Sequence, residues 1–275
     1  KLVNIRLLDS FNLAFTTISS GGFIPTDNLT NIIRNNLQVF ILSITLFFPI
    51  FNFFLLHDII TRKISYKNHY EDLHLILLII IIIFFLYFFV VPNENFSNVF
   101  LGITSSIATS GITTFSSNFD LSLFLILLTV IGGSLISTSS GFKYTRFYIL
   151  FKISYQEIYR LVKPMNITDK NLYNTESKID DQDLKIAFLV FIFFIGSIFA
   201  LSSILTFDNL TFENAFKLSI LTLTNTTASA LYGLNNLVFF DLNNFTKISL
   251  IVFMILGKIE IITVIYLIKR FIFRE

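Results

Sequence analysis

Only 14% of the 275 residues are charged, 54% are hydrophobic and 35 are phenylalanine. That excludes a soluble domain, in which about a quarter of the residues carry charge, and places the chain in a membrane. A formal charge of +2 is too small to imply a nucleic-acid partner, and the absence of cysteine excludes a disulfide, a thiolate metal site and a thiol nucleophile.

The chain starts at Lys1 without an initiator methionine or a signal-peptide pattern. It opens directly on a short apolar stretch, Leu8 to Ser19, so further chain is expected upstream. This stretch leads into Phe15-Thr-Thr-Ile-Ser-Ser-Gly-Gly-Phe23. Gln38 to Leu56 is long enough to span a bilayer, with a kink expected at Pro49 and Asn52. A polar, basic loop, His57 to His74, separates it from the unbroken apolar run Leu75 to Val91. After the turn Pro92 to Asn98, a short helix is predicted from Phe100 to Ala108, ending in Ile103-Thr-Ser-Ser-Ile-Ala-Thr-Ser-Gly-Ile-Thr-Thr114. A helix of roughly 12 residues covers under 20 Å, so it goes partway into a membrane and must return.

Leu121 to Lys163 is too long for one straight span. Its centre, Gly132-Gly-Ser-Leu-Ile-Ser-Thr-Ser-Ser-Gly141, is small and hydroxylated, and helix propensity collapses there. Two half-helices joined by a flexible intramembrane loop are predicted. Lys163 to Asp183 reads as a hydrophilic connector and Ile186 to Phe207 as a span. Phe212 to Leu223 reads as a third short helix, leading into Ile220-Leu-Thr-Leu-Thr-Asn-Thr-Thr-Ala228, and Ile248 to Ile268 as the last span.

The order is an all-α repeat of helix, reentrant loop and helix with a period of roughly 90 to 115 residues. Its expected organisation is 1–56 as the second half of a pore repeat, 57–74 as a cytoplasmic loop and 75–163 as a complete repeat with a broken second helix. A connector, 164–183, then leads to a complete final repeat, 184–275. Charge supports one orientation. Arg62, Lys63 and Lys67, then Lys143, Arg146, Lys152, Arg160 and Lys163, then Lys269, Arg270 and Arg274 all fall on one side. The other side holds Asp27, Glu94, Asp120, Asp208, Glu213 and Asp241 against Arg34, Lys217 and Lys247. The positive-inside rule puts the first side, with the C-terminus, in the cytoplasm.

Hydroxylated, glycine-bearing backbone at membrane depth is tolerated where it is buried in protein or lines water, and rings of such carbonyls build cation filters. One such segment would be an ordinary helix-packing patch. Three at matched positions point to a filter formed by Ser20, Gly21, Gly22 and Phe23, by Thr109, Ser110, Gly111 and Ile112, and by Asn225, Thr226, Thr227 and Ala228. Lys258, midway along the last span, is a charge too deep to snorkel and is read as lying beside the ion path rather than as structural glue. The loop Gly132, Gly133, Ser134, Ser137, Thr138, Ser139, Ser140 and Gly141 is read as a gate rather than a simple kink. Lys143 and Arg146 are read as ordinary interfacial bases. His57, His69 and His74 fit no metal site, and no acid–base pair, nucleophilic triad or phosphate loop is present, which argues against a membrane-embedded enzyme.

These residues resemble the Trk/Ktr/HKT superfamily of potassium transporters, and its Trk-type membrane subunit most closely. Thr17 to Phe23 is similar to that family's second-repeat signature, Thr-x-Ser-Thr-Gly-Gly-Phe, and Ala108 to Ile112 to its third. Gly132 to Arg146 is similar to the gating loop Gly-Gly-x-x-Gly-Ser-Thr-x-Gly-Gly-x-Lys-x-x-Arg, and Gly257-Lys-Ile-Glu260 to the fourth repeat's Gly-Arg-x-Glu. There are departures: Thr227 replaces a filter glycine, Ile136 and Ser140 replace loop glycines, and Lys258 replaces arginine, losing its planar fork. The resemblance implies four repeats around one pore, of which two and a half are here, and uptake of K⁺, or of Na⁺, across a bacterial inner membrane. It implies no cofactor in this chain, only K⁺ as cargo. It also implies a homodimer in lipid, docked on a cytoplasmic nucleotide-binding regulatory ring. The altered fourth segment leaves a second reading open, a non-conducting pore subunit acting in assembly or regulation.

Overall fold

The computed structural model describes residues 5–26, 28–62, 69–114, 121–163, 171–174, 179–208, 210–234, 239 and 242–259. Asp27, Lys63, Lys67, Asp120, Asp241, Glu260 and the C-terminal bases lie outside the described residues, as does the expected end of the last span. The protein is all-α. Its helices are α1 (Leu7–Ile18), α2 (Asn36–Thr45), α3 (Phe47–Ile50), α4 (Phe53–Thr61), α5 (Tyr70–Phe85), α6 (Phe96–Ile107), α7 (Ser122–Ile131), α8 (Tyr144–Val162), α9 (Asp181–Thr206), α10 (Phe212–Leu223) and α11 (Asn244–Ile259).

Among the described residues, two helices are long and apolar enough to cross a bilayer. One is α5 with its π-helical continuation, 21 residues from Tyr70 to Val90, and the other is the 26-residue α9. Asp180 starts α9 through a capping box with Asp183. The run expected to form one kinked span from Gln38 to Leu56 is instead sharply broken, because Asn36–Ile50 and Phe53–Thr61 meet at 107°. Pro49 cannot donate to the helical ladder, and the Asn52 side chain accepts the Phe54 amide at 3.0 Å, starting α4 in a new direction.

Three helices, α1, α6 and α10, are each 12 residues long. Helix α6 packs against α2 and α7, and α10 against α9 and α11. Nearly every side chain of α6 is buried, whereas α1 buries only Leu13, Thr16 and Thr17. Hydroxyls in these helices bond back to their own turns: Thr104 to Phe100 O at 2.8 Å, Ser106 to Gly102 O at 2.8 Å and Thr222 to Leu218 O at 2.7 Å. Most Ser and Thr hydroxyls of these helices are satisfied locally in this way, while those of Thr16 in α1 and Ser97 in α6 are buried without a partner.

Candidate ion pathway

The three short helices end alike. Each runs through its C-cap into a residue in the left-handed region: Ser20 (φ 50°), Thr109 (φ 54°) and Asn225 (φ 52°). The amides of these residues bond to Thr17 O (3.2 Å), Ser106 O (3.0 Å) and Thr222 O (3.1 Å). The next amides, of Gly21, Ser110 and Thr226, reach Thr16 O (3.0 Å), Ser105 O (3.0 Å) and Leu221 O (2.8 Å). This is a Schellman ending repeated three times. A left-handed conformation costs a non-glycine residue on the order of 1 kcal/mol, so three matched instances mark a backbone held for a purpose. The negative ends of the helix dipoles face the segments that follow.

Those segments converge. A methyl group on Gly22 would fall 1.7 Å from the Ser110 carbonyl oxygen, and one on Gly111 would fall 2.5 Å from Thr227 Oγ1 and 2.6 Å from Thr227 O. Gly22 and Gly111 hold φ near +70°, open to glycine and strained for other residues. Thr227, at the corresponding place in the third segment, does not adopt a positive φ. Its hydroxyl instead donates to Ser110 O at 2.7 Å. Ser110 and Thr109 are buried, whereas Phe23 is 74% exposed. Gly21 faces its own segment's Ser19 and Phe23.

Directly against this meeting point lies the break between α7 and α8. It is expected to be flexible, but it is held from several directions. The Ser20 hydroxyl (2.9 Å) and Lys258 Nζ (2.8 Å) both donate to the Thr138 carbonyl, and the Thr138 hydroxyl donates to Ile18 O (2.9 Å). The Ser140 amide donates to the Thr109 hydroxyl (3.0 Å). The Ser134 and Ser139 amides donate to Ile50 O (2.9 Å) and Pro49 O (3.1 Å), and Ile136 O accepts the Phe53 amide (2.9 Å). Within the loop, the Ser139 hydroxyl accepts the Gly133 amide at 2.9 Å and lies 2.8 Å from that of Ser137. Gly133 admits no side chain, because a methyl group would sit 2.5 Å from Ile50 O. Gly132 and Gly141 bracket the loop and lie against each other, Gly132 beside Ser140 O and Gly141 beside Thr129 O and Val130 O.

Lys258 reaches Thr138 because its neighbour is glycine. A methyl group on Gly257 would lie 1.9 Å from Leu223 O, so α11 presses its backbone against the end of α10. The Asn225 amide group donates to Met254 O at 3.0 Å and adds a second tie between the same elements. An open cavity of about 870 Å³ extends from the loop, lined by Ser137 to Gly141, Lys143 and Lys258 together with Phe48, Phe51 and Leu56.

Four residues have roles that sequence reasoning missed. Lys143, read as an interfacial base, is buried and donates to Ser137 O (3.1 Å) and Ser139 O (2.6 Å). Glu71 accepts the Leu135 amide at 2.7 Å and the Thr145 hydroxyl. Asp72 accepts the Asn52 amide at 2.9 Å. The available signal was an acidic pair opening a long apolar run beside an otherwise basic loop. Tyr173, between α8 and α9, donates to Thr145 at 3.2 Å, and burial pushes its hydroxyl far above the ordinary range, so it stays a neutral donor.

With this geometry in view, similarity to known proteins identifies the chain. It is 26% identical over its whole length to the Trk system potassium uptake protein TrkG of Escherichia coli, spanning 58% of that protein. It is also 26% identical, over 74% of its length, to the uncharacterized cation transporter MJ1485 of Methanocaldococcus jannaschii, spanning 42% of that protein. The crystal structure of the potassium transporter TrkH from Vibrio parahaemolyticus has the same fold. The TM-score is 0.84 at 23% identity, over 97% of this chain and 59% of that one. The chain thus spans somewhat over half the length of the first of these relatives. Residues 93–272 match the TrkH cation transport protein family, so this chain belongs to that family, whose members are membrane transporters and not enzymes.

Proposed function

We propose that these segments form part of a K⁺ uptake pathway in which backbone carbonyls select the ion and the Gly132 to Gly141 loop gates it. The observation that carries this reading is the stack of three matched helix ends lying against one intramembrane loop that Lys258 holds at Thr138 O, 2.8 Å away. Converging carbonyls replace the hydration shell of a cation. An ammonium beside the path repels cations, and does so more strongly where the dielectric is low. Lys258 and the loop therefore act in this reading as one barrier below the filter. K⁺, or Na⁺, is cargo, and no cofactor in this chain takes part. The basic clusters support a cytoplasmic face for the loop ends and C-terminus in a bacterial inner membrane. A homodimer docked on a cytoplasmic nucleotide-binding ring belongs to the same proposal.

The test is cation flux into vesicles containing the protein expressed from its complete reading frame. Lys258→Ala and deletion of Ser137 to Ser140 should each raise basal flux. Their combination should give less than the sum, because both remove one barrier. Additive effects would separate the two, and lower flux in both would make Lys258 a structural tether. The hydroxyl of Thr227 on Ser110 O favours a second reading, a pore subunit that conducts poorly and serves in assembly or regulation.

A further inference from the structure

We propose that Thr227 is a latch across the filter, its hydroxyl holding the Ser110 carbonyl closed to a cation. The proposal rests on the reading of these segments as an ion pathway. At the matched place the other two segments carry Gly22 and Gly111, with φ of +72° and +71°, and the space a side chain would take there is filled by the Ser110 carbonyl and by Thr227. Threonine avoids that conformation, and here the backbone does not adopt it. Thr227 lies flat against Gly111 instead, and its Oγ1 stands 2.7 Å from Ser110 O. The Ser110 carbonyl is then enclosed, with the Gly22 backbone on one side and the Thr227 hydroxyl on another.

The neighbouring hydroxyl does not compete for this role. Thr226 Oγ1 turns back to Thr224 Oγ1 at 2.8 Å, inside its own segment. Thr227 alone among the hydroxyls of its segment crosses to another repeat among the described residues.

A hydroxyl hydrogen is a partial positive charge, placed here where a dehydrated cation would otherwise find a carbonyl. An ion can use Ser110 O only after the Thr227 side chain turns away. The β-branched side chain has few rotamers to turn to, so the change is a discrete step rather than a gradual yielding. Once turned, the same hydroxyl offers its lone pairs to the ion and becomes a ligand. Thr227 is therefore both the closed-state plug and a determinant of which cation is accepted.

Three variants separate hydroxyl from bulk in the complete protein, read as rubidium and sodium uptake into vesicles. Thr227→Ser keeps the donor and should stay near wild type. Thr227→Val keeps the shape and loses the donor, and rubidium flux should rise roughly two- to tenfold, the equilibrium worth of one such hydrogen bond. Thr227→Gly should rise further and favour rubidium over sodium more strongly. Valine at wild-type flux would overturn the latch and leave only steric bulk. A second readout stands apart from transport. With carbonyl-labelled serine and amide-labelled glycine, the Ser110–Gly111 pair gives its own NMR signal, distinct from Ser20–Gly21 and Ser140–Gly141. The Ser110 carbonyl should move upfield in Thr227→Val and not in Thr227→Ser, and an unmoved signal in both would overturn the contact itself. If wild type and all variants carry no cation while the carbonyl moves, the latch stands and the transport reading fails.

Discussion

Gly257 and Gly196 both sit in helices, yet their surroundings predict opposite outcomes for the same substitution. Nothing lies within 4 Å of a methyl group on Gly196, whereas one on Gly257 would fall 1.9 Å from Leu223 O. Gly196→Ala should be neutral or stabilise by about 0.5–1 kcal/mol through helix propensity. Gly257→Ala should destabilise by about 1–3 kcal/mol, the usual range for overpacking, and should loosen the tie between α10 and α11. Thermal melting of the two variants in detergent checks the contrast, and equal melting would mean α11 does not press on α10. The proposed filter offers a second residue-scale pair. The Ser110 side chain bonds only within its own repeat, to Ser105, so Ser110→Ala leaves the backbone in place. Gly111→Ala adds a methyl group 2.5 Å from Thr227 Oγ1 at φ +71°. Potassium preference over sodium should fall in Gly111→Ala and hold in Ser110→Ala. Equal preference in both would place the segment outside the filter.

Two broken helices cannot each stand alone in a membrane, because a break exposes amides and carbonyls that lipid cannot satisfy. Here the breaks complete one another. The α3–α4 break leaves Pro49 O and Ile50 O, and these accept the Ser139 and Ser134 amides of the α7–α8 break. The Phe53 amide is returned to Ile136 O. Two further amides are taken up by the first turn of α5, where Asp72 receives that of Asn52 and Glu71 that of Leu135. Removing either carboxylate orphans a backbone donor, at about 1–3 kcal/mol. Asp72→Ala should lower the melting temperature more than Asp72→Asn, which keeps an acceptor oxygen. Glu71→Ala should in addition raise basal cation flux, since Glu71 holds the loop directly. A melting loss without a flux change would make Glu71 an anchor with no part in gating. The pairing also shows what the sequence could reveal. The small, hydroxylated centre of Gly132 to Gly141 breaks a helix by local propensity, and Pro49 with Asn52 marks the other break. That the two meet was not legible, because Leu135 and Glu71 are 64 positions apart and carry no periodic signal. Lys143 was misread for the same reason, since its position at the start of a helix bearing Arg146 and Lys152 looks interfacial until the hydroxylated loop folds over it.

At the scale of the molecule, the apolar runs and their period made an all-α membrane fold legible, whereas the family was legible only through the resemblance of its motifs, Gly132 to Arg146 above all. Orientation rests on charge and on the helices that cross. The 21 residues from Tyr70 to Val90 rise about 30 Å as a helix, one bilayer core, so in the proposed topology His69 and Asn93 beyond its two ends belong to opposite faces. Arg62, at the end of α4, goes with His69, which bonds Asp58 of α4 at 3.0 Å. In the proposed topology α6 enters and returns on the Asn93 side. The α7–α8 pair then carries the chain back, and its exit bears Lys152, Arg160 and Lys163. Those bases, with Arg62, argue for a cytoplasmic face, and the acidic Glu94 marks the other. Single cysteines test this against a clean background, since the 275 residues contain none. Both Asn93 and Lys163 are exposed, so substitution at either leaves the packing alone. In intact cells an impermeant thiol reagent should label Asn93→Cys, and it should reach Lys163→Cys only after the membrane is permeabilised. The reverse pattern would invert the protein. Labelling of both from outside would mean that α7 and α8 do not complete a crossing, and with it would fall the placement of their loop at the depth where a gate must lie.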